Sequence, residues 1–110
     1  MLIERGELLE LLGLRPETGA GSVQRYALAG TARRAVFAWG ADGTLSVEVS
    51  EMIDTEDDQA LLTLTGAFVP EDDAFLVEAD DRSGETSDRT DPRAAAALWR
   101  RLVRFMEPTE

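Results

Sequence analysis

The chain has 110 residues, 22 of them acidic and 11 basic, giving a formal charge of −11 at pH 7. It contains no His, Cys, Lys or Asn, so every basic side chain is Arg. These absences exclude the usual zinc ligand sets, disulfides, thiol redox chemistry, His-dependent triads, lysine Schiff bases and the P-loop lysine.

Apolar residues make up 44% of the chain and charged residues 30%, an ordinary globular balance. A single domain over residues 1–110 is expected, with one modest core. All-Arg basicity with abundant Ala reads as a GC-rich bacterial coding bias. Charge at Glu4 and Arg5 precedes any apolar run, which argues against a secretory signal. The longest apolar run, Ala94 to Trp99, is six residues, whereas a membrane span needs about twenty. A cytoplasmic protein with no membrane partner is the expectation.

The first expected element is a helix over Ile3 to Leu12, with Leu8, Leu9, Leu11 and Leu12 on one arc and Glu7 and Glu10 opposite. Gly13 suits a left-handed cap and Pro16 blocks resumption. Residues 17–22 form a loop whose Gly-x-Gly lacks a preceding strand, so it is no phosphate cradle. Strand character follows at Gln24, Tyr26 and Leu28, and again at Ala35, Phe37 and Trp39. Ala41-Asp42-Gly43 is a hairpin signal. Thr44 to Ser50 alternates cleanly, with Leu45, Val47 and Val49 on one face.

Asp54 to Asp58 breaks the sheet; Ala60–Thr65 and Ala74–Asp80 read as two further strands, linked across Gly66 to Asp73. Pro70-Glu71-Asp72-Asp73 is turn-forming. Asp81 to Thr90 lacks periodicity and reads as a mobile loop. The closing helix is capped by Asp91, starts at Pro92 and stops before Pro108. Ala95, Leu98, Trp99, Leu102, Val103, Phe105 and Met106 form its apolar side, with Arg93, Arg100, Arg101 and Arg104 on the remainder. The expected fold is α+β: a five-stranded antiparallel meander flanked by an N-terminal and a C-terminal helix, α-βββ-ββ-α. Both helices pack on its apolar face and the other face stays open.

Charge is unevenly distributed. From Glu48 to Asp91 there are fifteen acidic residues and two basic ones, a local balance of −13; the remainder balances at +2. Asp54, Glu56 and Asp58 alternate like calcium ligands, but Gln59 stands where glycine is required and Thr65 where the closing glutamate belongs. No carboxylate pair carries the marks of split pKa values that glycoside chemistry requires. The expectation is therefore no enzyme, cofactor or metal site, with a carboxylate-dependent enzyme or a weak divalent-cation site assembled by the acidic loops as the least favoured alternative. The arginines near the end of the last helix suit its dipole and read as a solvated face paired with the acidic loops. Trp99 and Phe105 read as core; Trp39 does too, with an interface anchor at a hairpin end as its alternative.

The run Leu8-Leu9-Glu10-Leu11-Leu12-Gly13-Leu14, the strands from Tyr26 to Val49 and the helix around Leu98-Trp99-Arg100-Arg101-Leu102 resemble class I type III secretion chaperones in element order. That resemblance implies a small acidic dimer holding an extended effector. The chain departs from the family at Ala60–Thr65, a strand where the family has a substantial helix after its third strand.

The expected function is a non-enzymatic acidic module that binds a basic protein partner and masks its surface, as inhibitors, immunity proteins and nucleic-acid mimics do. Direct nucleic-acid binding is disfavoured by the charge. The expected binding residues are Glu56, Asp57, Asp58, Glu71, Asp72, Asp73, Asp80 and Asp81, in charge-assisted contact with partner Arg or Lys. The alternative is a chaperone or adaptor that captures a peptide through its sheet or a homodimer groove.

Overall fold

In a computed structural model the chain is described over residues 1–28, 32–52, 58–82 and 91–109. Alternating apolar residues build a seven-stranded antiparallel sheet: β1 (Leu2–Glu4), β2 (Val23–Ala27), β3 (Arg33–Trp39), β4 (Thr44–Met52), β5 (Asp58–Val69), β6 (Ala74–Asp81) and β7 (Glu107–Thr109). Their spatial order is β1-β6-β5-β4-β3-β2-β7. The helices are α1 (Arg5–Leu12) and α2 (Pro92–Val103), and a 3₁₀ turn covers Pro70–Asp72.

The five expected strands are the five central ones, each paired with its sequence neighbour as in a meander. The expected count is corrected by two short strands that add to the edges. Ile3, read as helical, lies in β1 opposite Phe75 and is fully buried. The last helix ends at Val103 rather than before Pro108, because Glu107–Thr109 pairs with β2. Pro108 is tolerated there because an edge strand leaves one row of N–H groups unpaired.

β5 is also longer than expected, since Gly66 to Val69 continues the ladder against β6. Asp81 closes β6 rather than opening a loop. The register shifts between Val49 and Ser50, so Leu61 is an extra residue on β5. Met52 pairs directly with Asp58, so β4 and β5 are hairpin neighbours, unlike the chaperone pattern. The expected break at Asp54 to Asp57 and most of the expected loop, residues 83–90, lie outside the described residues.

One face of the sheet carries Ala35, Phe37, Trp39, Leu45, Val47, Val49, Leu62, Leu64, Phe75 and Val77, all buried beneath Leu8 and Leu12 of α1 and Leu98 and Trp99 of α2. Both helices therefore cover the same face, as the apolar periodicity requires. They run in the same direction: Glu7 meets Arg93 near their starts, and Gly13 lies against Arg100 near their ends. Trp39 is 5% exposed and packs on Phe75 at 5.1 Å and Phe68 at 5.8 Å, so its interface alternative is corrected. Phe105, expected in the core, is 74% exposed because α2 has already ended.

Candidate functional site

The eight expected binding residues are not brought together. Glu56 and Asp57 lie outside the described residues, and Asp58 begins β5. Glu71, Asp72 and Asp73 are exposed at the β5–β6 turn. Asp80 and Asp81 lie at the far end of β6, a strand length of about 23 Å away at 3.3 Å per residue. They also occupy opposite faces: Asp80 pairs with Thr63 on the open side, and Asp81 with the buried Leu62. Two carboxylates already hold arginines, Asp73 with Arg5 and Asp80 with Arg82, each at 3.1 Å.

The strand register assembles a different acidic group on the open face. One cross-strand row reads Asp80, Thr63, Glu48, Val36 and Arg25 across β6 to β2. The adjacent row reads Glu78, Thr65, Ser46, Ala38 and Val23. Glu48, Glu78 and Asp80 are all exposed. Glu48 and Asp80 flank Thr63 two strand spacings apart, about 10 Å, and Glu78 is one same-face step, about 7 Å, along β6. Arg25 and Arg34 are exposed on β2 and β3, so this face is acidic over β4–β6 and basic over β2–β3.

Three shallow depressions run over β5 and β6 on this side. The largest, about 330 Å³, is bordered by Thr44, Thr65, Ala67, Leu76 and Glu78. A second of about 180 Å³ is bordered by Thr63, Thr65, Glu78 and Asp80, and a third of about 100 Å³ by Ala60, Thr63, Asp80 and Arg82. The polar side chains here are the hydroxyls of Thr44, Thr63 and Thr65, the carboxylates of Glu78 and Asp80 and the guanidinium of Arg82; the hydroxyls and carboxylates accept hydrogen bonds. Among the described residues no group of three or more carboxylates is arranged to hold a metal ion, and no helix is long and apolar enough to cross a membrane.

Glu48 and Glu78 were missed as a site, although each stands at a polar position of an alternating strand. The readable signal was that alternation; their proximity depends on pairing β4 and β6 through β5. No protein-family model, curated protein or solved structure matches this chain.

Proposed function

We propose that this chain is a non-enzymatic binding protein whose open sheet face masks a basic surface of another protein. One observation carries the reading: Glu48, Glu78 and Asp80 stand exposed in two adjacent rows, separated by Ser46, Thr63 and Thr65, while helices cover the opposite face. A partner's Arg or Lys side chains would donate charge-assisted hydrogen bonds to the carboxylates, and the hydroxyls would satisfy neighbouring polar groups. The excess negative charge would accelerate encounter with such a partner.

A second reading, capture of a peptide on the sheet, is favoured by the exposed pair Leu2 and Leu76, which lie opposite each other beside Ala67. Salt distinguishes the two. Affinity capture from the host lysate would use wild type, the triple variant E48Q/E78Q/D80N and the control E71Q/D72N at the remote turn. The masking reading expects a basic protein that elutes below about 0.5 M salt, is lost with the triple variant and is kept by the control. Binding that survives both high salt and the triple variant overturns masking and supports peptide capture.

A further inference from the structure

A groove lies away from the acidic face, on the helical side. It encloses about 630 Å³ and is bordered by Leu12 and Gly13 of the α1 end, Tyr26 of β2, and Ala97, Arg100, Arg101, Val103 and Arg104 of the α2 end. That volume falls in the range of small-molecule sites. Its border divides chemically into an apolar part, Leu12, Tyr26, Ala97 and Val103, and a part made of the arginines Arg100, Arg101 and Arg104, the last with its guanidinium 5.6 Å from the Phe105 ring.

The cations are placed against the composition of the chain. Carboxylates outnumber arginines two to one, and Arg5, Arg33, Arg82 and Arg93 each stand within 4.0 Å of one. Among the described residues Arg100 and Arg104, like Arg15, Arg25 and Arg34, have no carboxylate at that distance. Glu10 borders the neighbouring depression with Glu7 and Arg100, yet it makes no ion pair with Arg100. The dipole of α2 favours cations in its last turn, but it does not require them to converge with Tyr26 on one groove.

We propose that this groove binds a small molecule carrying phosphate groups on an apolar or ring-bearing body. The guanidinium forks of Arg100 and Arg104 match phosphate oxygens. The body lies against Leu12, Tyr26 and Val103. Tyr26 is held in place from behind, its ring edge-on to Trp99 at 6.1 Å and its hydroxyl donating to Gln24 Oε1. Burial raises the Tyr26 phenol above its ordinary pKa. This site is independent of the open face, and either can fail without the other.

The test uses ADP as probe, with pyrophosphate and adenosine as its two halves, titrated into ¹⁵N-labelled protein. Three proteins are compared: wild type, R100Q/R104Q, and R25Q. Arg100 and Arg104 are exposed, so their replacement leaves the core intact, which circular dichroism verifies. Arg25 precedes Tyr26 but points to the other face, and serves as the control. The expected result is saturable ADP binding with shifts confined to Leu12, Gly13, Tyr26 and residues 97–104. ADP should bind about tenfold tighter than either half, and R100Q/R104Q should lose about tenfold, near 1.4 kcal/mol. R25Q should match wild type. The proposal is overturned if ADP fails to saturate by about 1 mM, if R100Q/R104Q binds as wild type does, or if adenosine binds as well as ADP.

Discussion

Glu7 and Arg93 tie the first turn of α1 to the first turn of α2, with Arg93 Nε donating to Glu7 Oε1 at 2.8 Å and Nη2 to Oε2 at 3.3 Å. A guanidinium in the first turn of a helix opposes the dipole, whereas a carboxylate there favours it; the fork offsets one with the other. The hydrogen bond from Arg93 holds the Glu7 carboxyl below its ordinary pKa. The stabilisation from this pair is complete above the unfolded glutamate value of about 4.3. It is lost as pH falls from there through the lowered folded value. Glu7→Gln should therefore flatten the acid limb of stability below about pH 4.3, as read by urea midpoints across pH. An unchanged acid limb would show that the exposed fork contributes nothing to folding.

Gly66 faces the core between Leu64 and Phe68, and a Cβ there would stand 3.3 Å from Phe75 Cβ. The absent side chain leaves the space that Phe75 occupies beside Trp39 and Phe68, whose centroids lie at 5.1 Å from its own. Gly66→Val should cost about 1–3 kcal/mol by overpacking, despite the better strand propensity of valine. Chemical denaturation measures this directly, and a stabilised variant would contradict the packing.

Gly13 ends α1 at φ 79°, with its own N–H on Glu10 O at 3.0 Å and the Leu14 N–H on Leu9 O at 2.8 Å. This double bond pattern is the Schellman closure, which needs the left-handed conformation. Gly13→Ala places a Cβ 3.4 Å from Arg100 Cγ as well as straining the backbone. A loss of about 1 kcal/mol is expected, read from the thermal or urea midpoint.

Phe105 and Met106 are adjacent but differ in fate, at 74% and 7% exposed. Arg104 lies over the Phe105 ring at 5.6 Å, a surface contact. Phe105→Ser should change stability by no more than about 0.5 kcal/mol, whereas Met106→Ala should cost about 2 kcal/mol. Equal losses at the two positions would place α2 further along the chain than Val103.

Thr44 to Ser50 could be read from the sequence because a half-buried antiparallel strand imposes period-two alternation on its residues. The same physics concealed β1 and β7: three residues are too few for a period, and each strand exists only through its partner, β6 or β2. Gly66 looked like the start of a link because its strand role depends on Phe75, which only the β5–β6 pairing brings to it. The candidate site follows the same logic. Its polar residues were visible one strand at a time, but the row of Glu48, Thr63 and Asp80 is set by the hairpin turns and the extra residue at Leu61. Clustering along the sequence misled in the other direction, since Asp73 precedes the first residue of β6 and Asp80 stands near its last.

The edge positions of β1 and β7 give the domain a mechanical character. Leu2 and Pro108 sit in the two outermost of seven strands, six spacings or about 29 Å apart. Tension between them acts across the strands, along the inter-strand hydrogen bonds. Bonds loaded that way open one at a time, as a zipper does, rather than sharing the load in shear. A pulling experiment through these two edges should find a low rupture force, with β1 or β7 peeling first from three-residue ladders.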